Sequence, residues 1–356
     1  MSALSNLEEQ LKEERGKVDV SAISFSTREI VRMFEARELI IDPSYQRKYR
    51  WNDESSSKFI ESIFLGLPIP PIFVATNDDF TWEVVDGVQR ISTIIWYMTD
   101  NDESLKKIGK ENNLKLKDLK ALGSLNGNSY LDLPKSIQLY FSRRALQVIS
   151  LTDKSDKDIR FELFNRINTG SVSLSEQEIR TAVYRGDFID MIEDLAGNAD
   201  MNSMLKLQKK RQNDGTTAEQ VLKFFAYKNY RNNFRGSVRD FLNKYAEKVT
   251  NGEVDFDYKA ESELFQKSAS YLNKILKGKK FVSETGNSVT PMIRFEACLI
   301  AIGEIISSGG NLVESLEPGW MEDKNFVKYT TGATNTAAML RGRIERAKEI
   351  FSLDVQ

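Results

Sequence analysis

The chain has 356 residues, of which 40% are hydrophobic and 29% charged, enough to bury one or two ordinary cores. Its net charge is −2 and its pI is near 5.7, so any nucleic-acid contact must come from a local patch. Histidine is absent, which excludes Ser-His-Asp triads, HNH-type nuclease sites and histidine-ligated metals. An enzyme built from this chain must therefore use carboxylates, a divalent ion bound through oxygen, or lysine and arginine.

The single cysteine, Cys298, lies in an apolar run and is predicted to be a buried small hydrophobe. One cysteine supports neither an internal disulfide nor a cysteine-based zinc site, which fits a reducing cytoplasm. No apolar run approaches the roughly 20 residues that span a bilayer, and the polar residues 1–18 do not resemble a secretory signal. We therefore expect a cytoplasmic protein without a membrane partner.

The front of the chain alternates helical and extended patterns. The predicted elements are helices at 3–16 and 28–34, a strand at 40–41, a helix capped by Asn52 or Asp53 and closed by Gly66, strands at 72–75 and 82–85, a helix at 91–98, a polar insertion or mobile loop at 99–130, and a strand at 145–151. This mixture predicts a small domain that combines strands and helices.

From Ser155 onward the pattern is almost entirely helical. The predicted helices are 156–167, 176–185, 187–196, 216–231, 237–249, 258–277, 290–307 and 335–351. The fold class predicted for the whole chain is α+β, with a small mixed domain at the N-terminus followed by a mostly helical C-terminal domain. We place the first domain at residues 1–195 and the second at 196–356.

The run Asp86-Gly87-Val88-Gln89-Arg90 lies between a strand pattern and a helix pattern. One interpretation is structural, with Asp86 as the helix N-cap and Gln89 completing a capping box. The other is functional, because a glycine turn at a helix N-terminus admits a phosphate group. Asp86 would then bind Mg²⁺, Gln89 would orient a water molecule and Arg90 would contact phosphate oxygens. These five residues alone leave both interpretations open.

A second polar cluster precedes a predicted helix cap and reads Tyr45-Gln46-Arg47-x-Tyr49-Arg50-Trp51. Arg47 and Arg50 suit bidentate phosphate contacts, and an adjacent tyrosine suits stacking on a base. The structural alternative is a latch in which the arginines pack on the aromatic rings through cation–π contacts. Trp51 is assigned to packing in either case.

Two further groups of residues are candidates for binding. Asn168-Thr169-Gly170 ends one predicted helix, and Ser175 with Glu178 opens the next as a capping box. That account leaves Asn168 and Arg180 unexplained, and both are candidates to line the same pocket. The candidates for nucleic-acid binding, with a solvated helix face as the alternative, are Lys228, Tyr230, Arg231 and Arg235.

Taken together, these motifs resemble the ParB/sulfiredoxin-like domain at the N-terminus of GmrSD-type modification-dependent restriction enzymes and related phage-defence proteins. The family pattern has a Tyr-Gln-Arg-x-x-x-Trp segment, a Ser-Ile-x-x-Gly-x-Pro-x-Pro-Pro segment, an Asp-Gly-Gln-Gln-Arg motif, an Asn-x-Gly segment and Leu-Ser-x-x-Glu-x-Arg. The corresponding stretches here are 45–51, 62–71, 86–90, 168–170 and 174–180, in that order. Val88 replaces the first glutamine of the third motif.

The resemblance implies a domain that binds and hydrolyses a nucleoside triphosphate, coupled in larger relatives to recognition and cutting of modified phage DNA. It makes Asp86 and Gln89 the catalytic candidates, with Asp86 as the metal ligand. The nucleotide- and phosphate-binding candidates are Tyr45, Gln46, Arg47, Arg50, Gly87, Arg90, Asn168 and Arg180. An HNH-type domain, which nuclease relatives often carry, is excluded because histidine is absent.

The leading hypothesis is a cytoplasmic defence-type protein that hydrolyses a nucleoside triphosphate with Mg²⁺. Its expected partners are the nucleotide, with DNA and a separate effector protein, including a nuclease, as further candidates. The first alternative is a non-catalytic module that binds DNA or protein. The second is a metal-dependent DNA nickase that uses Asp86 with Glu83. The base preference of the nucleotide and the oligomeric state stay open.

Overall fold

A computed structural model describes residues 3–16, 19–41, 51–77, 79–151, 161–163, 165–166, 175–212, 214–283 and 289–353. The chain divides into two compact units, Met1–Ser173 and Leu174–Gln356. The predicted α+β class is confirmed, because the first unit contains a sheet with helices and the second is mostly helical. The functional boundary that we place between residues 195 and 196 stays a prediction.

The first unit is built around one sheet, which contains five strands in the described residues. They are β1 Val20–Ser26, β2 Leu39–Ile40, β3 Ile72–Thr76, β4 Trp82–Asp86 and β5 Ala145–Leu151. Their spatial order is β1-β5-β3-β4-β2. The pairs β1–β5 and β3–β4 are antiparallel, whereas β3–β5 and β2–β4 are parallel. The helices are α1 Ala3–Gly16, α2 Thr27–Glu35, α3 Asp53–Leu65, α4 Val88–Met98, α5 Asp102–Lys107 and α6 Lys135–Ser142.

The helix α4 forms the centre of this unit. Every residue from Ile91 to Met98 is buried, so the apolar run from which the helix was predicted packs in the core of the unit. The neighbouring helix α3 begins and ends as predicted. The Asn52 side chain accepts a hydrogen bond from the Ser55 N–H at 2.8 Å, and Gly66 ends the helix in the left-handed conformation. The N-terminus of α4 is therefore held firmly in place.

The stretch 99–130, predicted as an insertion or mobile loop, is fastened to the domain. Leu105, Leu114 and Leu116 are buried. The Glu61 carboxylate on α3 accepts hydrogen bonds from the main-chain N–H groups of residues 121 and 122, at 3.1 and 2.8 Å. The segment has a polar composition, which led to the prediction of a loop, and it has little regular secondary structure. Its buried leucines nevertheless fix its position in the domain.

The second unit is an assembly of helices around α13. In chain order they are α7 Glu176–Val183, α8 Asp187–Ala196, α9 Ala199–Met204, α10 Thr216–Asn229, α11 Val238–Thr250, α12 Tyr258–Ile275, α13 Met292–Ser307, α14 Lys324–Thr330 and α15 Ala337–Phe351. Cys298 on α13 is fully buried, as predicted, and burial raises the pKa of its thiol. Most of the helix predicted at 156–167 lies outside the described residues. Across the described ranges, no helix combines the length and apolar character that crossing a bilayer requires.

Buried charges in this unit are paired with one another. The Lys223 ammonium lies 2.9 Å from the Glu219 carboxylate and 3.5 Å from that of Glu296, which also binds Arg343 at 2.7 Å. Burial alone would raise the pKa of the Glu219 carboxyl, but the positive charges of Lys223 and Arg180 outweigh it, and the pKa is lowered. These carboxylates are therefore structural partners of cations rather than free acids.

Candidate functional site at the turn between β4 and α4

A bulge in β4 lies directly before the turn of the Asp86 motif. Val84 pairs with Val74 of β3, whereas Asp86 pairs with the neighbouring Phe73. Val85 is thus an extra residue in β4, with no partner of its own on β3. A bulge re-aims the side chains that follow it, and here the next side chain is the Asp86 carboxylate.

The bulge brings Glu83 and Asp86 to the same face of the sheet. Glu83 pairs with Ala75 and Asp86 with Phe73, two positions apart on β3 and therefore on one face. In a regular strand, a spacing of three would place the two carboxylates on opposite faces. Their surroundings differ, because Glu83 is 1% exposed whereas the Asp86 side chain is 40% exposed. Asp86 is the accessible carboxylate of the pair.

Gly87, and not Asp86, is the N-cap of α4, so the capping-box interpretation of Asp86 is wrong. Gly87 has a φ of 102°, and no side chain caps the first turn of the helix. A Cβ atom at this position would lie 3.1 Å from Ile72 Cγ1 and 3.3 Å from Arg90 Nη2. Glycine is therefore required both by the backbone conformation and by the close approach of the arginine.

Arg90 links this turn to neighbouring residues through hydrogen bonds. Its Nη2 donates to Asp86 Oδ2 at 2.6 Å, and its Nη1 donates to the carbonyls of Pro70 and Pro71 at 2.5 and 3.0 Å. The sequence analysis missed these carbonyl acceptors. The consecutive prolines in the sequence could have indicated these acceptors. Prolines lack N–H groups, and the carbonyls of such an extended segment are open to a side-chain donor. Arg90 thus fixes the Asp86 carboxylate through Oδ2, and among the described residues no hydrogen bond to Oδ1 is found.

Gln89 connects the two front motifs. Its Oε1 accepts a hydrogen bond from the main-chain N–H of Trp51 at 3.2 Å, and the Trp51 ring packs edge-on against Phe59. Trp51 is the last residue of the first motif, and its packing role is confirmed. Residues 42–50, and with them the candidates Tyr45, Gln46, Arg47 and Arg50, lie outside the described residues, as does Asn168.

Residues 29–185 match the family model described as the GmrSD restriction endonuclease, N-terminal domain. This segment is similar to the GmrSD N-terminal domain. The match confirms the resemblance drawn from the motifs and relates the front of the chain to restriction enzymes. Comparison with curated proteins and with solved structures found no match. The GmrSD match contains the Asp86 turn and extends through α7.

Arg180 lies in the last helix of the GmrSD N-terminal domain match. It is fully buried in the second unit, where its Nε donates to Asn243 Oδ1 at 2.9 Å and its Nη1 to Gln177 Oε1 at 2.5 Å. Burial lowers the pKa of its guanidinium, against the opposing effect of nearby carboxylates. The predicted capping box of Ser175 and Glu178 starts this helix. A role for Arg180 in nucleotide binding stays a prediction, and its described hydrogen bonds are internal.

The residues predicted to bind nucleic acid are engaged within the helical unit. Lys228 pairs with Glu261 at 2.8 Å, and Arg231 pairs with Glu304. Arg235 is exposed but bonds main-chain carbonyls, and Tyr230 stacks on an aromatic ring of α11. These pairings reduce the charge that Lys228 and Arg231 offer to a ligand, and their role in nucleic-acid binding stays a prediction.

The donor set at the GmrSD turn restricts the metal that it can bind. In the described part of the chain, no group of three or more carboxylate or thiol side chains could hold an ion. Mg²⁺ is usually bound through one or two carboxylates together with substrate phosphates and water. Asp86 therefore fits Mg²⁺ that arrives with a nucleotide, and does not by itself form a metal site.

Proposed function

We propose that this GmrSD-like domain binds a nucleoside triphosphate with Mg²⁺ at the turn between β4 and α4, hydrolyses it, and acts in a DNA restriction system. The observation that carries the proposal is an accessible carboxylate, Asp86, clamped by Arg90 beside a helix N-terminus that no side chain caps. A restriction function also agrees with the family model that residues 29–185 match.

The turn offers two kinds of attraction to a phosphate group. The N-cap residue Gly87 has no side chain that could accept from the first N–H groups of α4, and a helix N-terminus with its dipole favours an anion. The Arg90 guanidinium adds positive charge within the same turn and is 12% exposed. Mg²⁺ bound with the nucleotide would be held by Asp86 Oδ1 and would neutralise phosphate charge.

Each motif residue has a distinct part in the proposal. Arg90 orients Asp86, and Asp86 binds the metal-nucleotide complex or accepts a proton from the attacking water. Gln89 holds Trp51 and so positions the end of the first motif. The remaining nucleotide contacts are proposed for Tyr45, Gln46, Arg47, Arg50, Gly87, Asn168 and Arg180.

The test is phosphate release from ATP, GTP, CTP and UTP with Mg²⁺, comparing the wild type with Asp86→Asn. The substitution preserves the shape of the side chain but removes the charge, so we expect release to fall about 100-fold or more. Asp100→Asn, at an exposed position of the same unit, is the matched control and should keep full activity. Unchanged hydrolysis in Asp86→Asn would refute the proposal.

A second candidate function is a non-catalytic module that binds DNA or an effector protein. The observation in its favour is that Arg90 and Gln89 already satisfy main-chain groups of their own domain. It predicts no phosphate release from any nucleotide, and a large loss of stability when Asp86 is replaced. The nickase alternative has less support, because Glu83 shares the face of Asp86 but is buried.

A further inference from the structure

Two runs of the helical unit contain basic residues and no acidic ones. Residues 201–213 include four lysines and arginines, and residues 264–283 include five lysines. The whole chain has a net charge of −2, so the remainder carries −11 against +9 in these two runs. Such a separation of charge creates a local positive field in an acidic protein.

The fold joins the two runs into one surface. The Phe281 N–H donates to the Met204 carbonyl at 2.8 Å, and the Lys280 ammonium donates to the Leu205 carbonyl at 2.9 Å. The segment after α9 and the end of α12 therefore lie side by side. We name this region the lysine surface, and its members are Lys206, Lys209, Lys274, Lys277, Lys279 and Lys280.

The lysine surface concentrates six lysines in one region of the helical unit. All six lysines are exposed, the Lys280 ammonium also binds a carbonyl, and none of the six forms an ion pair with the described residues. Elsewhere in the unit, Lys223 and Lys228 are paired with glutamates. Unpaired like charges repel one another, so their concentration favours a polyanionic ligand that neutralises them.

A groove of about 720 Å³ lies beside the lysine surface, and its lining includes Lys274, Lys277 and Lys279 together with Glu314 and Glu317. The aromatic residues of the groove are committed to the fold. Trp320 packs against phenylalanine rings, and the Tyr271 hydroxyl donates to the Val313 carbonyl at 2.6 Å. The groove therefore offers charge but no ring free to stack on a base.

We propose that the lysine surface binds the phosphate backbone of double-stranded DNA without reading its sequence. Lysine ammonium groups contact phosphates, and base edges are left unread when no planar or stacking group reaches them. An anionic membrane would offer similar charge. However, the exposed large hydrophobic residues described in this unit, Tyr258 and Leu353, lie outside both runs, so the surface lacks a group for insertion into lipid. The proposal does not depend on nucleotide hydrolysis.

The test is fluorescence anisotropy of the full chain with a labelled DNA duplex of arbitrary sequence, repeated over a range of salt concentrations. The triple variant Lys274→Ala/Lys277→Ala/Lys279→Ala removes three phosphate contacts. We expect its affinity to fall about tenfold or more and the log–log salt slope to decrease by about 2 to 3. The control triple Lys106→Ala/Lys244→Ala/Lys259→Ala removes the same charge at exposed lysines without ion pairs, and should retain both values.

Any one of three results with DNA would overturn the proposal. The first is that the wild type does not bind the duplex at low salt. The second is that the two triple variants weaken binding equally, and the third is that a change of duplex sequence alters the affinity as much as the triple Lys274→Ala/Lys277→Ala/Lys279→Ala does. Binding to vesicles of equal parts phosphatidylserine and phosphatidylcholine, without DNA binding, would likewise assign the surface to lipid. The variant Asp86→Asn should bind DNA as the wild type does, so that a failure of the hydrolysis proposal is distinguishable from a failure here.

Discussion

Stability measurements can separate the structural part of the Asp86 motif from its chemical part. Arg90→Met keeps the apolar stem of the side chain but removes the hydrogen bonds to two carbonyls and the ion pair. Each hydrogen bond from a charged donor contributes about 1.5–3 kcal/mol where it is buried, and less here because one carbonyl is exposed. We expect Arg90→Met to lower the free energy of unfolding by about 2 kcal/mol. Asp86→Asn removes only a partly exposed ion pair and should cost less than about 1 kcal/mol.

Urea unfolding followed by tryptophan fluorescence suits this comparison. Trp51, Trp82 and Trp96 lie in the unit that contains the site, whereas Trp320 lies in the helical unit. Circular dichroism is dominated by the helices, so the two probes report different units, and their midpoints need not coincide. Equal destabilisation by both variants would show that the Asp86 carboxylate is structural. That result would refute the reasoning and favour the non-catalytic module.

Further predictions concern the turn and the buried charges. Gly87→Ala should lower the free energy of unfolding by about 1–2 kcal/mol because of the left-handed backbone, and by more because of the close contacts of the new Cβ atom. Gly109 is also left-handed but lies in open space, so Gly109→Ala measures the effect of the backbone alone in the same assay. Glu296→Gln should cost about 3–5 kcal/mol because it leaves the buried Arg343 without its carboxylate, and a loss under 1 kcal/mol would contradict this. The lowered pKa of Glu219 gives stability that is complete above the unfolded-state value of about 4.3 and is lost as the pH falls through the folded value. Glu219→Gln should therefore flatten the acid side of the unfolding free energy plotted against pH, and an unchanged slope would argue against it.

Helices with strong periodicity and clear caps were predictable from the sequence. Both bounds of α8 and the capping box at Ser175 agree with the prediction, because each depends on local side chains. The strand β1 was missed. Most of its residues are exposed, so it lacks the buried alternation that identifies a strand, and its position is set by pairing with β5. The short helices α6, α9 and α14 escaped prediction because so few turns give a weak periodic signal.

The turn that positions the candidate site was predictable, but the contacts within it were not. A polar glycine motif between a strand and a helix pattern correctly marked the turn at Gly87. The partners of Arg90 are main-chain carbonyls, which every residue carries, so no residue type announces them. The bulge at Val85 likewise depends on how β4 pairs with β3. The sequence spacing of three predicts that Glu83 and Asp86 lie on opposite faces of the sheet. The bulge is the reason that they share one face.

The two basic regions of the helical unit show why charge patterns need partners before they indicate a ligand. Aromatic residues alternate with basic ones near Lys228, as on many nucleic-acid surfaces, but Tyr227 and Phe234 are buried. That alternation belongs to the end of α10 and the turn that follows it, where these aromatic residues are buried and Lys228 and Arg231 pair with glutamates. The lysine surface has no such alternation, and its lysines form no ion pairs within the described part of the chain. A cation already paired in the fold gains little from a phosphate, whereas an unpaired one gains the whole interaction. DNA binding should therefore depend on Lys277 and its neighbours far more than on Lys228 or Arg231.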